Sequence, residues 1–157
     1  MTSDGDALTG IYLDGQKYFM HGMQADIKGG GEIAVTPALP IFISTAKWLD
    51  KYFALENPNP GALKMAPKGT EFQKAVWDAL LKIPYGGVTT YGAIAKAIGR
   101  PRGPQAVGQA VGHNPISIII PCHRVIGTGG GLTGYAGGLS VKIKLLEIEG
   151  VTLPLSS

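Results

Sequence analysis

The stretch Ile118-Ile-Ile-Pro-Cys-His-Arg-Val-Ile-Gly127 joins an apolar run to the only cysteine in this chain of 157 residues. The run from Ser117 to Ile120 is rich in isoleucine, so we expect it to be buried. Cys122 follows after one proline, and His123 and Arg124 come next. A neighbouring histidine or arginine favours the thiolate, which is the nucleophilic form of cysteine. Position alone therefore fits two interpretations, a reactive thiol and a small buried apolar residue.

A cysteine–histidine pair often has a third group that orients the imidazole. The candidates are Asn114, Glu147 and Glu149, and their spacing does not choose among them. A solvated helix face is the alternative for both glutamates, and a cap before Pro115 is the alternative for Asn114. One cysteine and three scattered histidines give no metal-ligand spacing, so no metal site is predicted. No cofactor is predicted either, because the Gly129–Gly134 match to a dinucleotide fingerprint lacks a surrounding βαβ unit.

Upstream of this stretch the sequence predicts short helices. Thr70 is a candidate N-cap for an amphipathic helix, and Thr90 can cap a second helix that runs to Ile98. Pro104 suits the first position of a third helix, which runs to about His113. The second and third helices, joined by a glycine-containing turn, resemble a helix-turn-helix. That pattern alone is weak evidence for DNA binding.

The predicted helix from Pro104 to His113 is rich in small residues, namely Ala106, Gly108, Ala110 and Gly112. A glycine costs a helix about 1 kcal/mol relative to alanine, so two of them need a reason. Close approach to another surface would supply one. Tight packing against a neighbouring helix is the alternative.

The remaining segments complete an α+β prediction. They are strands at Leu8–Leu13 and Lys17–Phe19 around an Asp14-Gly15 turn, a Gly29–Gly31 loop, a Pro40–Phe53 helix, an Asn57–Gly61 linker, a Gly127–Gly138 loop and a helix from Ser140 to Glu149 closed by Gly150. We therefore predict a small N-terminal sheet-and-helix domain with its linker over residues 1–60. A mostly helical domain with the helix-turn-helix and the cysteine would follow over residues 61–157.

Charge and composition narrow the class of protein. Hydrophobic residues make up 45% and charged residues 16%, which is typical of a folded soluble chain. No apolar run is long enough to span a bilayer, the first ten residues do not resemble a signal peptide, and a lone cysteine suits a reducing compartment, so we expect a cytoplasmic protein. Up to Ala66 there are 5 Lys/Arg against 7 Asp/Glu, and from Pro67 there are 9 against 4. The basic second half indicates a polyanionic partner or an ordinary solvated basic surface.

The cysteine stretch closely resembles the active-site motif of the methylated-DNA–protein-cysteine methyltransferases, the O6-alkylguanine-DNA alkyltransferase family. The resemblance covers roughly residues 67 to 152. It includes further blocks in the family's order: Gly69–Trp77, Ile83–Gly86, Thr90–Ala95, Ala106–Gly108, Asn114-Pro115, Leu132–Gly138 and Leu145–Gly150.

The resemblance implies DNA repair by irreversible, stoichiometric transfer of the alkyl group of O6-alkylguanine to Cys122, after base flipping through the minor groove. Its catalytic set would be Cys122 as acceptor, His123 as base through a water, Glu149 to orient His123, Asn114 to hold the cysteine turn and Tyr91 as proton donor. The substrate pocket would include Val125, Thr128, Tyr135 and Gly137. DNA contacts would come from Tyr91, Arg100, Arg102, Gln105, Ala106 and Gly108. The partner would be double-stranded DNA carrying O6-alkylguanine. The protein would act as a monomer, would need no cofactor and would not bind a membrane.

The chain departs from the family pattern in three places. The family usually has an arginine before Ala-Val-Gly, which replaces the flipped base in the stack, whereas this chain has Gln105. Glutamine is uncharged and stacks poorly, so we expect weaker DNA binding or slower repair, with Arg102 as an alternative substitute. The usual opening strand is missing before Thr2, which predicts a trimmed N-terminal domain or an exposed sheet edge. The structural zinc site of some relatives has no ligands here.

Two other functions stay open at this point. An alkyltransferase-like protein would bind lesions without repairing them, but such proteins replace the acceptor cysteine that is present here as Cys122. An altered scaffold could instead label itself with a benzylguanine-type ligand, and Gln105 would suit its reduced DNA affinity.

Overall fold

The structure is a computed structural model that describes residues 1–21, 28–30 and 36–153. This part of the chain contains five α-helices and two small sheets, which confirms the α+β prediction. The helices are α1 (Pro40–Phe53), α2 (Glu71–Leu81), α3 (Tyr91–Ala97), α4 (Pro104–Gly112) and α5 (Leu139–Ile148). The strands are β1 (Thr2–Ser3), β2 (Leu8–Gly10), β3 (Thr89–Thr90) and β4 (Val125–Ile126).

Side-chain caps begin α2 and α3 where the sequence predicts them. The Thr70 hydroxyl accepts from the Gln73 N–H at 3.1 Å, and the Gln73 side chain accepts from the Thr70 N–H at 2.9 Å, which is a capping box. The Thr90 hydroxyl accepts from the Ala93 N–H at 3.2 Å. Pro104 occupies the first turn of α4. The two helices α3 and α4 pack against each other and against α2, in the order that a helix-turn-helix requires.

The N-terminal strands differ from the prediction. The strand expected over Leu8–Leu13 ends at Gly10 and pairs antiparallel with β1. The strand predicted over Lys17–Phe19 is wrong, because these residues form turns. Tyr18 has a φ of +63°, which interrupts an extended backbone, and the Lys17 N–H donates to the Ala136 carbonyl at 2.9 Å instead of to a strand.

Strand β2 also has a partner on its second side, so it is not the exposed edge considered above. The Leu8 N–H donates to the Lys64 carbonyl at 2.9 Å, and the Ala66 N–H donates to the Leu8 carbonyl at 2.8 Å. Just after β2, the Ile11 carbonyl accepts from the Ser117 N–H at 3.0 Å. The N-terminal segment is thereby tied to the apolar run that precedes Cys122.

The predicted loops and helix ends agree with the structure where it describes them. Gly29 and Gly30 lie in a turn, whereas Gly31 lies outside the described residues. The linker leads into a 3-10 turn at Pro60–Ala62. Helix α5 begins one residue before the predicted Ser140, and Gly150, with a φ of +75°, follows its end.

One hydrophobic cluster contains side chains from both predicted domains, from Leu8 and Trp48 through Trp77 and Val107 to Leu145. The division of the chain at residue 60 stays a prediction. Within the cluster the Trp77 indole N–H donates to the Ala110 carbonyl at 2.9 Å, which fixes α2 on α4. No helix among the described residues is both long and apolar enough to cross a membrane.

Candidate active site

Cys122 lies in a 3-10 turn, Cys122–Arg124, between the apolar run and β4. The run is buried as predicted, although it forms turns rather than a strand, and Ile118 has a left-handed φ of +73°. This conformation is rare for a β-branched residue and persists only where surrounding contacts impose it. Strand β4 pairs parallel with β3, directly before α3. The turn that carries the thiol is thus held between the core and the helix-turn-helix.

Asn114 closes the loop that leads to the cysteine. Its side-chain N–H donates to the Ile120 carbonyl at 2.8 Å, and its side-chain oxygen accepts from the Ile116 N–H at 3.0 Å. The Ile120 carbonyl also accepts from the Cys122 N–H at 2.8 Å. Asn114 is 4% exposed, so its replacement would leave buried backbone groups without partners.

His123 and Glu149 form a buried pair next to this turn. The distance between His123 Nε2 and Glu149 Oε1 is 2.6 Å, and neither side chain is exposed. A carboxylate can only accept, so Nε2 carries the proton and Nδ1 keeps its lone pair. His123 Nδ1 is buried and has no hydrogen-bond partner among the described residues. Of the three candidates for an orienting group, only Glu149 contacts the imidazole, whereas Glu147 is exposed.

The Glu149 carboxylate is the centre of a larger network. Arg124 donates to both of its oxygens, from Nε to Oε2 at 2.8 Å and from Nη2 to Oε1 at 3.0 Å. The Gly86 N–H donates to Oε2 at 3.2 Å, and the Tyr52 hydroxyl donates to Oε1 at 2.8 Å. Burial alone would raise the pKa of Glu149, but the hydrogen bonds from His123 and Arg124 outweigh it and lower the pKa to about 2. Glu149 is therefore ionised throughout the physiological range.

The thiol and the imidazole are both neutral at rest. Burial raises the pKa of Cys122, and the contributions of Asn114, Tyr135 and Lys142 oppose it only in part. Burial also lowers the pKa of His123 despite the adjacent Glu149 carboxylate. A neutral imidazole with a free Nδ1 can accept a proton, so the pair is suited to general-base activation of a nucleophile.

Lys142 is a buried residue that sequence reasoning missed. Its ammonium donates to the Val125 carbonyl at 2.5 Å and to the Thr133 carbonyl at 3.1 Å. Burial lowers the pKa of this lysine. The side chain therefore ties the glycine-rich loop to β4, the strand that follows the cysteine turn.

A cleft of about 690 Å³ has Tyr135 in its wall, and Cys122 is not among its lining residues. Its lining residues come from α3, α4, the glycine-rich loop and the N-terminal turns, and they include Lys17, Tyr18, Tyr91, Gln105, Gly108 and Tyr135. The Tyr135 hydroxyl is buried and close enough to Cys122 that burial and the sulfur together raise its pKa. Tyr135 therefore joins the cleft to the nucleophile. The Tyr91 hydroxyl accepts from the Thr133 hydroxyl at 3.0 Å at the open side.

Comparison with known proteins decides the family. Residues 71–151 match the family described as 6-O-methylguanine DNA methyltransferase, DNA binding domain. The chain is 56% identical over 109 residues to a methylated-DNA–protein-cysteine methyltransferase of Methanosarcina acetivorans, which is 69% of each protein. It is 40% identical over 147 residues to the Haemophilus influenzae protein of that name, covering 94% of this chain and 77% of that protein. The chain belongs to the methylated-DNA–protein-cysteine methyltransferase family.

Solved structures agree with this assignment. The methyltransferase superposes on the crystal structure of Mycobacterium tuberculosis OGT in complex with DNA with a TM-score of 0.79 and 42% sequence identity, over 94% of this chain and 83% of that one. The O6-methylguanine-DNA methyltransferase of Pyrococcus kodakaraensis gives a TM-score of 0.64 and 28% identity, over 84% and 77%. The methyltransferase is thus a DNA-binding repair protein.

The remaining predicted substrate residues of the methyltransferase lie around the cleft in different ways. Val125 is fully buried. Its carbonyl accepts from the Lys142 ammonium, and its N–H donates to the Cys122 carbonyl. Thr128 is exposed at the rim. A Cβ at Gly137 would lie 2.6 Å from a methyl of Leu13 and 3.0 Å from the Tyr135 ring, so a side chain there would displace the pocket wall. Their substrate roles stay predictions.

The predicted DNA contacts of the methyltransferase fall on two neighbouring depressions. Tyr91, Gln105 and Gly108 line the cleft, whereas Arg100, Arg102 and Ala106 line a second depression of about 660 Å³. A Cβ at Gly112 would meet nothing within 4 Å, and one at Gly108 would make an ordinary 3.6 Å contact with Tyr91. Packing among the described residues therefore does not require these two glycines, and close approach of another surface stays the prediction.

Proposed function

We propose that this methyltransferase repairs O6-alkylguanine in double-stranded DNA by moving the alkyl group to Cys122. The observation that carries the proposal is the oriented His123, whose Nε2 is held by Glu149 and whose buried Nδ1 has no hydrogen-bond partner among the described residues. The imidazole is next in sequence to a neutral thiol that needs a base. A water between Nδ1 and the sulfur would carry the proton.

The transfer is a displacement at the alkyl carbon. The Cys122 proton passes through the water to His123, and the sulfur attacks the carbon attached to O6. The S–C bond forms as the C–O bond breaks, and the electron pair leaves with guanine. Tyr91, at the open side of the cleft, donates its phenolic proton to the leaving base, and a general acid of this kind contributes about 10²–10⁴-fold. Solvent then returns the proton held on His123 to Tyr91.

Delivery of the lesion requires base flipping. The target atom lies inside the duplex stack, so the nucleotide must be extruded at a cost of a few kcal/mol. Small residues in α4 leave its backbone free to enter a narrow minor groove, and the extruded base would occupy the cleft next to Tyr135. The exposed Arg100 and Arg102 would bind phosphates near the turn before α4.

The reaction would be stoichiometric. A thioether on Cys122 is stable, so one protein molecule repairs one lesion. His123 and Glu149 pair within one chain, so the proposed transfer needs no residue from a second copy and the protein would act as a monomer. The free thiol needs a reducing compartment, which favours the cytoplasm.

Mass spectrometry after incubation with a duplex containing one O6-methylguanine tests this function. We expect Cys122 to gain the mass of one methylene group with a yield of one per protein, and the Cys122→Ser variant to gain nothing. An unmodified protein that still shifts the duplex in a gel would contradict repair and support lesion binding. Labelling by free benzylguanine with negligible DNA binding would support the self-labelling alternative.

Gln105 provides a prediction on DNA delivery. It is exposed on α4 and lines the cleft, where an arginine could replace the flipped base in the stack. We expect Gln105→Arg to bind the lesion duplex about tenfold more tightly at low salt, because guanidinium adds charge and a planar stacking group. Fluorescence anisotropy and single-turnover rates on one duplex measure both effects. Equal affinity and equal rate in the two proteins would show that residue 105 does not limit delivery.

A further inference from the structure

Tyr52, on α1, contacts the His123–Glu149 pair although it lies 97 positions before Glu149 in the sequence. Its hydroxyl donates to Glu149 Oε1 at 2.8 Å, the same oxygen that lies 2.6 Å from His123 Nε2. The Tyr52 oxygen is itself 3.5 Å from that nitrogen. We propose that Tyr52 is a positioning residue of the Glu149–His123 pair, through which the N-terminal helix controls the reactivity of Cys122. This inference rests on the proposed function.

Aromatic packing aims the hydroxyl. Tyr52 is 1% exposed, and its ring stacks on Trp48 with centroids 5.7 Å apart and an interplanar angle of 10°. The rings of Phe53 and Tyr85 pack edge-to-face with it, with centroid separations of 5.3 and 6.0 Å. Trp48 is fixed in turn, because its indole N–H donates to the Asn59 carbonyl at 3.0 Å. This packing holds the ring so that its hydroxyl oxygen lies next to the carboxylate.

The bond has a defined electrostatic consequence. Burial, together with the hydrogen bond to Glu149, raises the pKa of Tyr52, so the phenol remains a donor at every working pH. A donor on Oε1 withdraws charge from the carboxylate and weakens its attraction for the His123 proton. Tyr52 thus acts with burial to keep the pKa of His123 low and the imidazole neutral. Loss of the phenol should raise the pKa of His123.

Other charged or titratable groups also face this pair, and Tyr52→Phe leaves them unchanged. They are Arg124 in the cysteine turn, Lys142 on α5, Tyr85 after α2 and, next to Tyr52, Tyr135 in the glycine-rich loop. Tyr85 provides a matched control, because its hydroxyl donates to the Ile148 carbonyl at 3.1 Å and not to Glu149. Tyr85→Phe removes one phenol oxygen close to the site without removing a donor from the carboxylate.

The experiment measures the single-turnover rate of methyl transfer from an O6-methylguanine duplex across pH for wild type, Tyr52→Phe and Tyr85→Phe. We expect Tyr52→Phe to be about tenfold slower near neutral pH, the size expected for a buried hydrogen bond to a charged group. We also expect the fall in rate on the acid side to move to higher pH, since protonated His123 cannot act as base. Tyr85→Phe should keep the wild-type profile. A wild-type rate and profile in Tyr52→Phe, or equal losses in both variants with unchanged profiles, would overturn the proposal.

Two further measurements keep the test decisive. NMR titration of the His123 imidazole reports its pKa without any DNA, so this readout stands even if wild type transfers no methyl group and the proposed function fails. Site-specific replacement of Tyr52 by a fluorinated tyrosine retains the ring and strengthens the donor, which covers the case in which Tyr52→Phe does not fold. We expect that replacement to lower the pKa of His123. An unchanged or raised pKa would contradict the role of Tyr52.

Discussion

Glu149→Gln is expected to slow methyl transfer to Cys122 by about 10²–10⁴-fold, the usual contribution of an effective general base. The carboxylate accepts from His123 on one oxygen and from Arg124 on both. An amide offers one oxygen and one NH₂ group, so it must present N–H to at least one of these donors. The imidazole then loses its fixed tautomer, and the lone pair on Nδ1 is no longer assured.

Glu147→Gln is the matched control, because it makes the same chemical change two residues earlier on an exposed part of α5. Single-turnover rates on one O6-methylguanine duplex, with urea unfolding of each variant, separate lost chemistry from lost folding. We expect Glu147→Gln to react like wild type. A Glu149→Gln protein that is folded and reacts within threefold of wild type would show that His123 needs no oriented carboxylate.

The cysteine turn was predictable to a large extent because its chemistry is local. Cys122 and His123 are adjacent, and the apolar run before them could only be buried. Glu149 was a candidate but could not be chosen by spacing, because it lies 26 positions beyond His123. Only the packing of α5 against the cysteine turn brings the two side chains together. The choice between Glu147 and Glu149 is a matter of helix rotation, which the sequence pattern left open.

The missed features depend on contacts between distant segments. The contact of Tyr52 with Glu149 needs the end of α1 to lie next to the residue that follows α5, and the hydrophobic pattern of neither helix indicates that. Lys142 is charged, so composition favours a solvated position, yet two carbonyls hold it in the interior. The prediction of a strand at Lys17–Phe19 was wrong for a similar reason. The Lys17 N–H donates to the Ala136 carbonyl in the glycine-rich loop rather than to a neighbouring strand.

Arg124→Met is expected to lower the free energy of unfolding by about 3–5 kcal/mol at neutral pH, the usual cost of removing one partner from a buried ion pair. Arg124 is 8% exposed and Glu149 is 5% exposed. Methionine would fill part of the volume but donate nothing to Glu149 or to the Ile83 carbonyl, which Arg124 Nη1 bonds at 2.6 Å. Urea unfolding monitored by circular dichroism measures the difference.

The same pair predicts how stability depends on pH. The pKa of Glu149 is about 2 in the folded protein and near its ordinary 4.5 when unfolded, so the ionised group contributes stability above about pH 4.5 that is lost as pH falls toward 2. This contribution is on the order of 3 kcal/mol. The difference in the free energy of unfolding between wild type and Arg124→Met should therefore be constant near neutral pH and should shrink as the pH falls into the acid range.

Lys64→Met is the control for a general effect of losing one positive charge. Lys64 pairs with Asp6 on the surface, where solvent screens the attraction, so its loss should leave the unfolding curve unchanged at every pH. If Arg124→Met kept its full deficit at pH 3, the lost stability would come from packing and from the Ile83 carbonyl. If both variants lost the same stability, net charge would be the cause. Only a deficit that is specific to Arg124 and closes in acid assigns it to the buried Glu149 carboxylate.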